Sequence, residues 1–226
     1  METNLARQLL EETNDFEGAR YLVDVEGMSS AKICSFLNAL VARMDDEEHY
    51  LEIGTWRGRT LLSAAYQNRG RTCFACDKFR ILGRWTGWGF KAKRQLMRNI
   101  ERYRKQCANV RFFHMTSRRF FRAGLIPGPI GVYFYDGDHG YRLTRHGIVS
   151  AAPLLSRRSV LLVDDWNGEI VRRATRDGIR DAGLKILWER EFEGDRTAGG
   201  WWNGLGVFYV EQGRGWPAGS EGRTRA

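Results

Sequence analysis

Short apolar runs alternate with amphipathic stretches along most of the chain, and this alternation constrains the fold more than any other feature. Apolar runs of strand length lie at 50–54, 72–77, 110–115, 131–135, 160–163, 185–192 and 205–210. Helical spacing of apolar residues follows Ser29-Ser30 and recurs at 59–68, 91–106, 141–155 and 169–182. Strands that alternate with helices of this length form parallel crossover units. We therefore predict an α/β fold with a doubly wound, mostly parallel, seven-stranded sheet.

The last two predicted strands differ from the others because no helix separates them. A loop rich in glycine and tryptophan, 193–203, lies between them, so we expect an antiparallel hairpin at one edge of the sheet. The sequence thus divides into an N-terminal helical cap (1–48), one domain (49–212) and a tail (213–226). The tail lacks apolar periodicity, and we expect it to be disordered.

Composition excludes several classes of protein. The 226 residues are 42% hydrophobic, with no apolar run near the length of a membrane span, so we expect one soluble domain with a sizeable core. Four cysteines are too few for a disulfide framework. Cys73 and Cys76 lie three apart in a predicted strand, on opposite faces, which disfavours a shared zinc ion. The acidic N-terminal region has no signal peptide pattern, so we expect a cytoplasmic protein.

The net charge of +9 is unevenly placed along the chain. Met1 to His49 contains 11 acidic and 4 basic residues, whereas Lys78 to Arg122 contains 14 basic residues and one acidic residue. The basic segment is either a surface for nucleic acid or another anion, or a solvated helix face, and the sequence leaves both interpretations open. A homo-oligomer is also compatible with the sequence.

Polar residues gather where the predicted parallel strands end. In chain order these strand ends are Glu52-Ile53-Gly54, Asp77, Thr116-Ser117, Asp136-Gly137-Asp138-His139 and Asp164-Asp165-Trp166. The carboxyl ends of parallel strands meet at one edge of the sheet, where open α/β sheets bind small ligands. We therefore expect the functional site at this edge.

The turn after the first strand carries two glycines four residues apart, Gly54 and Gly58. Glycines let the backbone approach a ligand closely, and the helix that follows offers free N–H groups. Asp77 closes the second strand, where a carboxylate accepts hydrogen bonds from a ribose diol. The turn matches neither the dinucleotide-binding glycine pattern nor a P-loop.

This ExGxxxG turn followed by a strand-terminal acid resembles the class I S-adenosylmethionine-dependent methyltransferases, over about 29–211. The residues DGDHGY, 136–141, and DDW, 164–166, are similar to a small-molecule subgroup that includes cephalosporin-hydroxylase-like proteins and, more distantly, catechol O-methyltransferases. The resemblance implies a Rossmann-like sheet. It also implies methyl transfer from S-adenosylmethionine to a small-molecule acceptor, with a hydroxyl oxygen as the expected methylated atom.

The resemblance also assigns roles by position. Glu52, Gly54 and Gly58 would line the methionine part of the donor, Asp77 the ribose, and Ser117 or Met115 the adenine edge. The donor-binding set that it implies is Glu52, Gly54, Thr55, Gly58, Asp77, Lys78, Ser117 and Asp136.

Asp136, Asp164 and Asp165 match carboxylates that hold a divalent ion in the metal-dependent members. Three carboxylates at neighbouring strand ends repel one another unless they are protonated, hydrogen-bonded or neutralised, and Mg²⁺ prefers oxygen ligands. In the alternative, Asp136 binds the ammonium group of the donor, while Asp164 and Asp165 cap the next helix or pair with arginines.

His139, with Asp136, is the catalytic candidate. An imidazole titrates near neutrality and can remove a proton from the acceptor as the methyl group is transferred. Alternatively, His139 orients Asp136 or serves as a metal ligand.

Tryptophans near three of the predicted loops suggest an acceptor pocket with flat apolar walls, suited to an aromatic or anionic small molecule. They are Trp85, Trp88, Trp166, Trp201 and Trp202. Core packing is the alternative role for each ring.

Two alternatives to small-molecule methylation also remain. One is methylation of nucleic acid or another polyanion through the basic segment, and the other is a catalytically inactive nucleoside-binding protein with the same fold.

Overall fold

The computed structural model describes residues 24–79, 88–197 and 199–213, and a seven-stranded sheet forms its centre. In chain order the strands are β1 (His49–Ile53), β2 (Thr72–Asp77), β3 (Asn109–His114), β4 (Ile130–Tyr135), β5 (Leu155–Asp164), β6 (Leu184–Phe192) and β7 (Leu205–Gln212). The spatial order is β3-β2-β1-β4-β5-β7-β6. Strands β1 to β5 pair in parallel, whereas β7 is antiparallel to both β5 and β6. The predicted α/β sheet with its C-terminal hairpin is confirmed.

Helices cover both faces of the sheet. They are α1 (Ala31–Ala42), α2 (Arg59–Ala65), α3 (Trp88–Tyr103), α4 (Ser117–Arg122), α5 (Tyr141–Ala151) and α6 (Glu169–Asp181), with one 3₁₀ turn at Ala152–Leu154. Buried side chains of α1, α2 and α3 pack in one hydrophobic cluster, and those of α4, α5 and α6 pack in a second cluster on the opposite face. This is the doubly wound arrangement that the alternation predicts.

Successive side chains of a strand point to opposite faces of the sheet, so one strand contributes to both hydrophobic clusters. Cys73 belongs to the cluster of α1, whereas Cys76 belongs to the cluster of α5, so the two thiols face away from each other as the spacing predicts. All four cysteines are buried and free.

Local sequence signals set most helix ends. The Ser30 hydroxyl accepts a hydrogen bond from the Ile33 N–H (3.2 Å) and caps α1, as expected from the sequence. Helix α2 ends at Ala65, three residues before the predicted limit, and Gln67 then adopts a positive φ of 59°. The sequence prediction missed α4. This six-residue helix has only one buried side chain, Phe120, so it lacks a readable apolar period.

The predicted cap and tail are only partly within the described residues. The structure describes the cap from Asp24 onward and the tail at Gly213 alone. Across the described ranges, no helix combines the length and the apolar character needed to cross a membrane.

Candidate functional site

The glycine turn after β1 packs directly against the end of β4. Gly54 has a φ of 91°, and a Cβ atom at this position would lie 1.8 Å from the backbone oxygen of Asp136. Gly58 begins α2 with a φ of 90° and faces Leu96 of α3. A side chain at Gly54 would overlap backbone atoms, and the positive φ at both positions favours glycine. The turn brings the ends of β1 and β4 into contact.

Asp77 holds this turn through its carboxylate. One oxygen accepts hydrogen bonds from the N–H groups of Thr55 (2.9 Å) and Trp56 (2.8 Å), and the other accepts one from Phe79 (2.6 Å). A carboxylate has about four acceptor positions, so three of them serve the protein's own backbone. Among the described residues, a single N–H donates to Oδ1, so this oxygen can still accept a hydrogen bond from a ligand such as the ribose of the sequence prediction.

Glu52 lies beneath the turn with no exposed surface. Its carboxyl accepts hydrogen bonds from the hydroxyls of Tyr50 (2.6 Å) and Thr60 (3.0 Å). Burial raises the pKa of Glu52 to about 8, and the two hydroxyls only partly offset that rise. Near neutral pH the group is therefore mainly protonated, and it supports the turn from within the core.

We expect the stability of the parent chain to decrease as pH rises, and we expect this decrease to be smaller in Glu52→Gln. Between the unfolded pKa of about 4.3 and the folded value, the folded chain keeps a proton that the unfolded chain has released. Unfolding then releases a proton, so stability falls as pH rises, by up to about 1.4 kcal/mol per pH unit. Melting curves from pH 5 to pH 8 measure this, with Glu101→Gln at an exposed helix position as the matched control. Parallel pH profiles for the two variants would contradict it.

Asp136 and Asp164 lie together at the ends of β4 and β5. Burial and the neighbouring Asp164 carboxylate raise the pKa of Asp136 well above its usual range, and burial with the charge of Asp165 raises that of Asp164 to about 7. The two carboxyl groups are close enough to influence each other's pKa, so protonation of one is favoured over two adjacent charges. Asp164 Oδ1 is buried without a hydrogen-bond partner among the described residues. The pair thus carries less than two full negative charges near neutrality.

His139 is paired with Asp165 at the same edge. His139 Nε2 lies 2.8 Å from Asp165 Oδ2, and this hydrogen bond raises the pKa of the imidazole above its usual value. Asp165 has a φ of 56°, which is uncommon for a residue other than glycine. Its other oxygen accepts a hydrogen bond from the Asn203 amide (2.8 Å). The imidazole is therefore oriented by a carboxylate that is itself fixed.

The carboxylates do not converge on one point as a metal site would require. Asp136 and Asp164 contact each other, while the oxygens of Asp165 face His139 and Asn203. Within the part of the chain that the structure describes, no group of three or more His, Cys, Asp or Glu side chains is arranged to hold a metal ion. The donor set expected for Mg²⁺ therefore does not fit, and the pairing of Asp165 with His139 relieves part of the repulsion instead.

Two other predicted donor-binding residues lie at the same edge. Lys78, directly after β2, forms an ion pair with Asp138 in the loop after β4 (3.6 Å). Ser117 is the first residue of α4 and is half-buried, while the preceding Thr116 caps the helix. Met115, the alternative to Ser117, is also half-buried, and its carbonyl accepts from the Cys76 thiol (3.2 Å).

The tryptophans proposed for the acceptor pocket separate into three groups. Trp85 lies outside the described residues, and for Trp88 only the position at the start of α3 is described. Trp166 is 1% exposed and packs on Gly206 and Phe208, so the structure places it in the core rather than at an open pocket. Trp201 and Trp202 are half-buried in the loop between β6 and β7.

Two asparagines connect this loop to the site by hydrogen bonds, and the sequence analysis did not identify either of them. Asn203 binds Asp165 and accepts from Arg196 Nε (3.0 Å), and the Asn167 amide exchanges two hydrogen bonds with the backbone of Gly194, each 2.9 Å long. Position alone could have suggested Asn167, because it follows the DDW residues. No signal in the sequence marks Asn203 as its counterpart.

Known proteins share the fold described above. No curated protein matches the sequence. Among solved structures, an O-methyltransferase from Bacillus cereus in complex with S-adenosylhomocysteine is similar, with a TM-score of 0.56, 16% identity and coverage of 93% of this chain and 92% of that chain. A protein from Pyrococcus horikoshii described as an RNA methyltransferase is also similar, with a TM-score of 0.50, 14% identity and coverage of 92% of this chain and 96% of that chain. At these identities the likeness shows the fold.

TrmN from Thermus thermophilus is also similar, with a TM-score of 0.54 and 17% identity over 79% of this chain. The chain spans only 48% of the length of TrmN. A family model described as a methyltransferase domain matches residues 51–166, from β1 through the DDW residues. The match covers half of the chain and every strand end described above, and it shows that the chain belongs to the methyltransferase domain family.

Proposed function

We propose that this methyltransferase moves the methyl group of S-adenosylmethionine to a hydroxyl oxygen of a small molecule. The observation that carries the proposal is the hydrogen bond between His139 and Asp165, which supplies an oriented base at the ligand-binding edge of the sheet. A hydroxyl oxygen becomes a strong nucleophile as its proton is removed, and a base at this position performs that step.

The residues divide the work between donor and acceptor. S-adenosylmethionine supplies an electrophilic methyl group on its sulfonium. The turn at Gly54 and Gly58, held by Asp77, forms the donor side, and the Asp136 and Asp164 pair supplies partial negative charge for the donor's ammonium group. With Nε2 of His139 directed at Asp165, Nδ1 is left to accept the acceptor's proton. Trp201 and Trp202 would border the acceptor.

Donor binding tests the first half of the proposal. Asp77→Ala removes the acceptor of three backbone N–H groups, and charge-assisted hydrogen bonds contribute about 1.5–3 kcal/mol each. We expect the affinity for S-adenosylhomocysteine, measured by calorimetry, to fall by about tenfold or more. Asp46→Ala, an exposed carboxylate that pairs with Arg71, is the control. Unchanged affinity in the Asp77 variant would count against a donor site at this turn.

Transfer of a labelled methyl group tests the second half. A panel of hydroxylated small molecules is compared with short RNA under the same conditions. Product from a hydroxylated compound supports the proposal, and its loss in His139→Gln links transfer to the proposed base. Labelling of RNA alone would overturn the acceptor assignment and favour nucleic-acid methylation. The basic segment from Lys78 to Arg122 and the fold shared with the Pyrococcus protein make that the second candidate.

A further inference from the structure

A surface pocket of about 450 Å³ lies between α4 and α5. It is lined by Arg118, Phe121, Arg122, His146 and Ser150. The pocket extends along the helices, away from the edge that carries His139. With a rise of about 1.5 Å per residue, His146 and Ser150 lie roughly 8 and 14 Å beyond the start of α5. None of the residues assigned above to donor, acceptor or base lines this pocket.

The pocket is positively charged and its charges are not neutralised. The lining has two arginines and a histidine but no acidic side chain. Arg118 and Arg122 form no ion pair with any described residue, whereas Arg145 on the far side of α5 pairs with Asp181. Burial and the two arginines lower the pKa of His146, so the imidazole already lies in a positive potential. A concave surface of this kind concentrates anions.

The side chains define the class of anion. Guanidinium groups bind phosphate oxygens through paired N–H donors. The Ser150 hydroxyl lies 3.1 Å from His146 Nδ1, and this hydrogen-bonded pair leaves one outward donor for a further phosphate oxygen. Phe121 is half-buried and offers an apolar wall for a sugar or a stacked base. We propose that this pocket binds a nucleotide, with its phosphate on Arg118, Arg122 and His146 and its apolar part against Phe121. The nucleotide is either free or part of an RNA strand, and the site does not depend on the acceptor proposed above.

Paired charge variants of the full chain test the site with a short labelled single-stranded RNA. In Arg118→Gln/Arg122→Gln, we expect the affinity to fall by about tenfold and the slope of log K against log salt to decrease by about two. Arg173→Gln/Arg180→Gln removes the same charge from exposed residues that contact Asp177 on α6, and we expect a change of less than about twofold. Equal losses in the two double variants would overturn the proposal in favour of diffuse surface charge.

The His146 imidazole gives a second readout, which is measured on the parent chain. Its NMR titration, assigned with His146→Gln, is followed with inorganic phosphate, AMP and the RNA. Because a bound phosphate offsets Arg118 and Arg122, we expect each to raise the pKa of His146. Saturation by AMP alone indicates a free nucleotide, and much tighter binding of RNA indicates a strand. An unchanged His146 titration with all three probes would overturn the site. S-adenosylhomocysteine calorimetry on the same variants reports the donor site separately.

Discussion

Gly54→Ala is expected to abolish donor binding and to destabilise the fold by about 2–4 kcal/mol. The Cβ atom would lie 1.8 Å from a backbone oxygen of Asp136, and backbone cannot rotate aside as a side chain can. The φ of 91° adds strain for any residue other than glycine. The ends of β1 and β4 would have to separate, because the Asp136 N–H also donates to the Ile53 carbonyl at 2.8 Å. The turn after β1 would then no longer hold the shape that we propose binds the donor.

Gly70→Ala is the matched control, because no atom lies within 4 Å of the Cβ that it would add. We expect its stability to stay within about 0.5 kcal/mol of the parent chain. Melting temperatures give the stability difference, with a decrease of about 10 °C expected for Gly54→Ala. Calorimetry well below the melting temperature then measures S-adenosylhomocysteine binding on folded protein. Parent-like affinity in the Gly54 variant would place the donor elsewhere.

His139→Gln is expected to lower kcat by about 100- to 10,000-fold while leaving donor affinity unchanged, because general base catalysis contributes on that scale. The acceptor found with the hydroxylated panel serves as substrate. His49, the first residue of β1 and therefore at the opposite end of that strand from the site, provides the control variant His49→Gln. If the His139 variant kept the parent kcat, the imidazole would have no part in proton transfer.

The pH dependence gives a sharper test of the pairing with Asp165. Since the hydrogen bond with Asp165 raises the pKa of His139, the imidazole is protonated below that pKa and cannot accept a proton. Activity should therefore increase with pH through this raised value. Asp165→Asn removes the charge partner, so the inflection should move to lower pH and the maximal rate should fall. NMR titration of His139 measures the same shift without an acceptor, and identical pKa values in both proteins would exclude the pairing in solution.

The sequence predicts the strands of the sheet well because each is a short apolar run bounded by turn residues. It also brings the right residues to one edge, since Gly54, Asp77, Asp136 and Asp164 all close parallel strands. Strand-end position does not determine side-chain direction, however. Trp166 follows the acidic pair yet turns into the core, because Gly206 on β7 leaves space for its ring. That space depends on a strand forty residues further along the chain.

The sequence predicts which residues lie at the carboxyl edge of the sheet better than it predicts their hydrogen-bond partners. Asp77 is predicted to bind a ribose, and its position at a strand end does not indicate that it also accepts hydrogen bonds from three backbone N–H groups of the neighbouring loops. The Mg²⁺ prediction combined the resemblance to metal-dependent members with repulsion among three carboxylates, and repulsion alone does not decide between a cation, a proton and a histidine. The structure pairs Asp165 with His139, and the raised pKa values of Asp136 and Asp164 favour a proton on one of those two carboxyl groups.

The position of β7 between β5 and β6 has a consequence for synthesis on the ribosome. Seven residues of β5, from Arg158 to Asp164, pair with β7, and among the described strands β6 pairs with β7 alone. A nascent chain that has emerged only as far as residue 192 therefore exposes the apolar edge of β5 with no partner for it. Unpaired apolar edges associate with other chains. The sheet beside the candidate site is therefore completed only when β7 has emerged from the ribosome.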